Sequence, residues 1–410
     1  MKKSTLKNGL EIYTEQVDSA KTVTFSVYAK VGSYNEKENF GISHFIEHMV
    51  FKGTNTRNSQ DIMEEIENVG GYVNAETSFE HTRYFATVPA EEWKTAADVI
   101  TDIVFNSTFP EEEVDLERTV IQEELKMYSD DSSSHVTDML LIAMHKSYPE
   151  RQTIGGTIQT VADITREDLV NFKNKFYQPN NLFIVATGKV NHDDIVEFMK
   201  QFENIEQTSE IEKEEQFEPD ILSSDTESLS RNIEQSHFTW GLFGPSSNDH
   251  DIFAVEVAAA ILGGSSSSRL YQLIREKRGL AYTVSVFTFE MKQNSIICGY
   301  TGLDASRIEE VKEIVVEEFE RLRNELVSDS ELNRVIAYLR GKHIIGLEKP
   351  SSINGYIGSS IIKNLSTNPD DYIKGLESVT KEDIKKVARK YFTPDNWQFA
   401  EITPKNQEVN

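Results

Sequence analysis

The sequence predicts an α+β protein built from two copies of one unit. Two observations carry this. A run of residues returns 215 positions later without a gap, the mark of an internal duplication. Within each half, strand-like segments alternate with helical ones, and short connections suggest antiparallel pairing with helices on one face.

The repeat is plainest at Thr165-Arg166-Glu167-Asp168-Leu169, which returns as Thr380-Lys381-Glu382-Asp383-Ile384. Its continuation, Lys175-Phe176-Tyr177-Gln178-Pro179-Asn180-Asn181-Leu182, returns as Lys390-Tyr391-Phe392-Thr393-Pro394-Asp395-Asn396-Trp397. Each copy reads as a helix capped by its threonine, an aromatic pair, a turn with Pro and Asn, and a strand such as Leu182 to Ala186. The same offset lays Val23-Thr24-Phe25-Ser26-Val27-Tyr28 on Phe238-Thr239-Trp240-Gly241-Leu242-Phe243, both strand-like. Helical spacing marks residues 92–100, where Trp93, Ala96, Ala97 and Ile100 share a face, and residues 308–316. The stretch Asn68-Val69-Gly70-Gly71-Tyr72-Val73-Asn74-Ala75 reads as a hairpin-like connection. Between the copies, residues 206–227 hold nine carboxylates against one lysine, Lys213, together with Pro219 and several serines, the composition of a solvated linker.

A chain of 410 residues is long for one core and comfortable for two domains. Its one cysteine, Cys298, excludes an intrachain disulfide and a zinc site built from several cysteines, and fits a reducing compartment. The formal charge of -26 repels nucleic acid and anionic membranes and suits cationic peptides, although a solvated acidic surface is the plainer use of it. The start, Met1-Lys2-Lys3-Ser4-Thr5-Leu6, has no apolar run behind its lysines, and no stretch approaches the ~18 apolar residues of a membrane span. The expectation is a soluble, cytoplasmic protein with neither nucleic acid nor membrane as partner.

The chemistry gathers at His44-Phe45-Ile46-Glu47-His48. On a helix, His44 and His48 stand one turn apart on one face, the spacing that lets two imidazoles reach one metal ion. Glu47 sits beside them, where a carboxylate can take the proton of a zinc-activated water. This is the HxxEH order of inverzincin peptidases. The plainer alternative is a helix with a surface ion cluster. At the repeat offset the three residues fall on Ala259, Leu262 and Gly263, so the second copy has no such site. A third ligand is needed if zinc is to keep one position open. The helical stretch from Glu113 to Lys126 offers Glu117 and Glu124 on one face, but spacing alone does not choose between Glu123 and Glu124.

The run from His44 to Thr54, with the Glu123-Glu124 pair further on, resembles the pitrilysin family of peptidases (M16), which includes insulysin and the mitochondrial processing peptidase. The resemblance implies a bacterial processing-peptidase-like zinc metalloendopeptidase with one Zn²⁺ per chain. It makes Glu124 the third ligand beside His44 and His48, and Glu117 the residue that orients the site. In the second half, Gly263 to Tyr271 and Arg275 to Tyr282 resemble the family's inactive-domain signature. By that likeness Arg275 holds the substrate backbone and Tyr282 donates to the developing oxyanion. Read without the family, Arg275 pairs with Glu276 and Tyr282 belongs to the core. Gly70 to Thr77 resembles the edge strand to which a peptide adds, with Asn74 and Ala75 binding it through backbone groups. The serine-rich run Gly263 to Ser268 lacks the Gly-Lys-Ser/Thr ending of a phosphate cradle and reads as a loop that brushes substrate. His81, in Glu80-His81-Thr82, reads as structural.

The resemblance further implies about six strands per sheet and a clamshell of two halves facing across an acidic cavity. The expected division is a catalytic metal-binding domain over 1–207, an acidic linker over 208–225, and an inactive homologous domain over 226–410 that contributes to substrate binding. Extended or unfolded peptide is the expected partner, with the chain acting as a homodimer or paired with a homologous subunit. Two rival readings are a non-catalytic subunit that captures peptides and a scaffold with purely structural zinc.

Overall fold

The structure, a computed structural model, describes residues 1–148, 151–207, 216–222 and 224–405. It comprises two compact units, each with one sheet.

The first sheet has six strands: β1 (Lys2–Thr5), β2 (Glu11–Gln16), β3 (Thr22–Ala29), β4 (Tyr72–Thr77), β5 (Thr82–Pro89) and β6 (Leu182–Gly188). Their order is β1-β2-β6-β3-β5-β4, antiparallel throughout except for β2 beside β6. Among the described residues β4 is therefore a free edge. The second sheet has five described strands, not six: β7 (Thr226–Arg231), β8 (Ser236–Gly244), β9 (Ala281–Glu290), β10 (Ser295–Leu303) and β11 (Gln398–Pro404), in the order β7-β11-β8-β10-β9. The offset of the repeat carries β2 onto β7 end to end, and β3 and β6 onto β8 and β11 within a residue or so. Only β1 has no counterpart among the described residues. The two helices of the repeat, Arg166–Phe176 and Lys381–Tyr391, open on the same capping box, Thr165 with Asp168 and Thr380 with Asp383.

The units are not the contiguous stretches 1–207 and 226–410. The first comprises Met1–Lys126, Thr153–Glu215 and Gly346–Ile362, and the second Met127–Gln152, Gln216–Ile345 and Lys363–Asn410. The exchange has a packing reason. β3 and β6 are buried along nearly their whole length, so both faces need cover. The helix Trp93–Asn106 covers one face, and Pro350–Ile362 closes the other over Tyr28, Phe183 and Val185. Helices on one face only, as the sequence suggested, would leave those side chains wet. In the second unit the helix Ser132–Met144 does the same for β8 and β11. It lies so close that a Cβ on Gly241 would meet Met144 Sδ at 2.6 Å. The repeat offset relates these two inserted helices, so the copies have traded corresponding pieces.

Two local expectations need correction. Gly70-Gly71 is no hairpin. It ends the helix Ser59–Asn68 with Gly70 at φ 75° and releases the chain into β4, and the hairpin is β4-β5, closed by Ser78 to His81. Of the expected linker, 208–215 and 223 lie outside the described residues, and the segment 216–222 is not a solvated tether. Phe217 and Leu222 are buried in the second unit, Phe217 against Tyr148 and Phe243, and its N–H donates to Gln293 Oε1.

Asn354 fixes the inserted helix of the first unit. It is fully buried, donates to the carbonyls of Thr24 (3.2 Å) and Val185 (2.9 Å), and accepts from Ser26 Oγ (2.7 Å) and Arg83 Nη2 (3.1 Å). Asn354→Leu would take the acceptor from the buried Ser26 hydroxyl and from a guanidinium N–H of Arg83, and would remove two bonds to strand carbonyls. The expected outcome is a loss of about 3 kcal/mol or more, read as a lower urea midpoint for the first unit.

Candidate metal centre

The helix Ile42–Met49, here α1, begins at Gly41, whose φ of 94° suits glycine. The close approach of Gly156 to the Phe40 carbonyl, where a Cβ would come within 2.2 Å, fixes the entry of the chain. Two of α1's unpaired N–H groups, those of Gly41 and Ser43, donate to the Glu36 carboxyl at 2.6 and 2.9 Å. Glu36 is buried, and burial pushes its pKa up to about 8 against the pull of those bonds. Phe45, Ile46 and Met49 sit in the core, which leaves His44, Glu47 and His48 on the half-open side.

The helix Glu111–Asp130 lays Glu117 and Glu124 against that side. Arg118 helps hold it there: its Nη1 donates to the carbonyls of Val161 and Ile164, and its guanidinium lies 5.4 Å from the centre of the Phe45 ring. Glu123 points to solvent and pairs with Lys126 at 2.6 Å, whereas Glu124 faces the two imidazoles.

His44 Nε2, His48 Nε2 and Glu124 Oε2 converge, with separations of 3.3 Å between the imidazoles, 3.4 Å from His48 to Glu124 and 3.9 Å from His44 to Glu124. For metal–ligand bonds of ~2.0–2.1 Å, a tetrahedron has edges of ~3.3–3.4 Å, so two edges already match and the third is slightly open. Two imidazole nitrogens and one carboxylate oxygen are the donor set of a catalytic zinc site, and the residues fit the ion. Glu117 accepts from His48 Nδ1 at 2.8 Å, and Lys52 Nζ lies 2.5 Å from its other oxygen. Burial works against charge on Glu117, but His48 and Lys52 outweigh it and hold its pKa below the usual range, so His48 Nδ1 is the donor and Nε2 faces the centre. Burial likewise opposes charge on His48, yet Glu117 and Glu124 raise its pKa to about 9, while burial and the neighbouring imidazolium push His44 down to about 4. The two rings differ in support: His44 Nδ1 is buried with no hydrogen-bond partner among the described residues.

Glu47 is raised from the usual carboxylate range, chiefly by burial, against a 2.5 Å hydrogen bond donated by Thr77 Oγ1 to its Oε2. Thr77 ends the edge strand β4. Earlier in that strand Asn74 is exposed, and its side-chain oxygen accepts from the Ala75 N–H at 2.9 Å, so this N–H faces the open edge rather than β5. His81 holds the β4-β5 turn through Ser78 Oγ at 2.8 Å, a structural role.

Arg275 and Tyr282 lie in the second unit and are brought together there. The guanidinium sits 4.4 Å from the centre of the Tyr282 ring and 5.0 Å from that of Tyr271, and it donates to the Tyr271 hydroxyl. Tyr282 is 74% exposed and no part of the core, whereas the plain pairing of Arg275 with Glu276 is present, Nε to carboxylate at 3.6 Å. Gly263 closes the helix Ile252–Gly263, and Ser268 Oγ donates back to the Ser265 carbonyl. Asp249, His250 and Asp251 also cluster, but Lys386 and Lys390 reach Asp251 at 3.2 and 2.9 Å and already supply the positive charge. Sequence reasoning missed Glu36, Lys52, Thr77, Arg118 and Tyr271. All but Glu36 lay inside stretches already singled out, yet nothing in their spacing announced a role.

Removing the support of His48 is expected to weaken the centre. Glu117→Ala should raise the zinc dissociation constant by about 10- to 100-fold in a chelator competition, with the fold intact by circular dichroism.

Residues 11–158 match the family described as insulinase (peptidase family M16), and residues 163–339 match the peptidase M16 inactive domain. An uncharacterized zinc protease of Streptomyces coelicolor is 33% identical over 400 residues, covering 95% of this chain and 86% of the relative. The uncharacterized zinc protease YmxG of Bacillus subtilis is 32% identical over 411 residues, 98% of each chain. Among solved structures, a protease from Helicobacter pylori has a TM-score of 0.90 at 24% identity, covering 98% of this chain and 99% of that one. A peptidase M16 inactive domain from Pseudomonas fluorescens also has a TM-score of 0.90, at 18% identity and 98% coverage of both chains. These two likenesses speak to the fold.

Proposed function

The chain belongs to peptidase family M16, and on that premise we propose that it is a zinc-dependent endopeptidase acting on extended or unfolded peptides. The observation that carries this reading is the convergence of His44, His48 and Glu124 beside Glu47, a largely buried carboxylate on the same side of α1. Zinc held there by those three side chains would supply Lewis acidity and make water a nucleophile near neutral pH.

The chain's own residues do the rest. Glu47 accepts the proton of the attacking water and passes it to the amine as the C–N bond breaks, a role suited to a carboxylate whose pKa burial has raised. Glu117, fixed by Lys52, keeps His48 in the tautomer that presents Nε2. The free edge of β4 receives the peptide as an added strand through backbone groups around Asn74 and Ala75. Arg275 is assigned to the substrate backbone and Tyr282 to the developing oxyanion. A cytoplasmic location, and action as a homodimer or with a homologous subunit, belong to the same proposal. Among the described residues no helix is long and apolar enough to cross a membrane.

The rival reading, a non-catalytic subunit that captures peptides, makes the opposite forecast in the same assay. Glu47→Gln is expected to keep stoichiometric zinc while lowering peptide cleavage by about 10²- to 10⁴-fold, whereas His44→Ala loses both zinc and cleavage. Chelator should abolish cleavage and leave the circular dichroism spectrum largely unchanged; unfolding on chelation would instead mark the zinc as structural. Normal cleavage by Glu47→Gln would sink the mechanism.

A further inference from the structure

The general base carries a clamp that the HxxEH motif does not contain. Glu47 is a long side chain on the half-open face of α1, and a carboxylate on three rotatable bonds holds no single orientation unless something grips it. Thr77 Oγ1 does so, donating to Glu47 Oε2 at 2.5 Å, within the short range of charge-assisted O–H···O⁻ bonds. Because a carboxylate offers no proton, the hydroxyl must be the donor. Oε1 accepts no other hydrogen bond among the described residues, so one oxygen is fixed and its twin is left to receive a proton.

Thr77 is itself held on a stiff element. It is the last residue of β4, paired with Thr82 across the hairpin. The turn beyond it is tied down by backbone bonds from Ser33 N to Ser78 O (3.2 Å) and from Tyr34 N to Phe79 O (2.9 Å). Gly32 packs so tightly there that a Cβ would meet Ser78 O at 2.3 Å. Alternation along β4 turns Asn74 and Glu76 outward and Ala75 and Thr77 toward α1.

We infer that Thr77 is a positioning residue for Glu47: its hydroxyl locks the carboxylate in the orientation for proton transfer and ties it to the strand that receives the peptide. The inference rests on the hydrolase reading for its kinetic consequence, but the lock itself is a structural claim. A carboxylate turned by about an ångström can lose on the order of a hundredfold in rate, with binding little altered.

The test compares Thr77→Val, which keeps the shape and removes the hydroxyl, with Thr77→Ser, which keeps the hydroxyl. The zinc-loaded full chain is assayed on a quenched-fluorescence peptide, with zinc content measured alongside. Expected are a ten- to hundredfold fall in kcat for Thr77→Val with KM within about twofold and zinc retained, and recovery to within a few-fold by Thr77→Ser. A kcat for Thr77→Val within twofold of wild type overturns the inference, as does loss of zinc or a failure of serine to restore the rate. Crystal structures of wild type and Thr77→Val ask the same question without activity: Glu47 should hold one orientation in the first and turn or spread in the second. An unchanged Glu47 sinks the lock. A wild-type chain that cleaves nothing sinks the hydrolase reading instead, and the crystallographic comparison still decides on Thr77.

Discussion

One register governs the metal centre: that between α1 and the helix Glu111–Asp130. His44 and His48 come from the first and Glu124 from the second, and a slip of one residue would bring Glu123, a solvent-facing group, in place of Glu124. The bond from His48 Nδ1 to Glu117 sets that register, with Lys52 closing the other side of the carboxylate. A surface ion pair would be too weak for the task, at about 0–1 kcal/mol. Glu117 is only 4% exposed, so sliding it away from its partners would strand a buried charge, a penalty of about 3–5 kcal/mol. The same carboxylate therefore fixes the geometry of the helices and the tautomer of the ligand.

The sheet imposes a second constraint. Strands buried on both faces need helices on both, and each copy of the repeat obtains one of these from the other copy's stretch of sequence. The first unit cannot cover Tyr28 and Phe183 until residues 350–362 have joined it, far along the chain. Such contacts raise the contact order and delay completion of the first unit until nearly the whole chain is available. Asn354 shows why the docking is specific rather than merely apolar: its carboxamide satisfies carbonyls of two neighbouring strands that no aliphatic side chain could serve.

How much was legible in the sequence depended on range. His44, Glu47 and His48 lie within one helical turn, so their spacing speaks directly, and the duplication is visible because Thr165 and Thr380 open matching capping boxes. The α+β class and the candidate site on α1 come from such local facts. The choice between Glu123 and Glu124 depends on how two helices are rotated against each other, which periodicity does not encode. The helix exchange was invisible for a related reason: an offset says which segments correspond, and nothing about which sheet each one covers. Glu36 and Thr77 act through loop and hairpin geometry, where a carboxylate at a helix start or a hydroxyl at a strand end looks like many others. The acidic tether misled because composition hid two anchors, Phe217 and Leu222, among the charges.

The second copy has no room for such a site. The positions matching His44 and Glu47 are Ala259 and Leu262, both buried in an almost wholly apolar helix, so the face that is half-open in α1 is packing surface here. The position matching His48 is Gly263, where even a Cβ would meet Val286 Cγ2 at 2.4 Å and the Val286 backbone N at 2.7 Å. An imidazole there would have to displace β9, not simply rotate into space. The helix lies so close to its strand at this position that only glycine fits. Placing the three side chains here would thus require moving a strand as well as changing residues, and this contact bars a matching candidate site from the second copy more firmly than the missing histidines do.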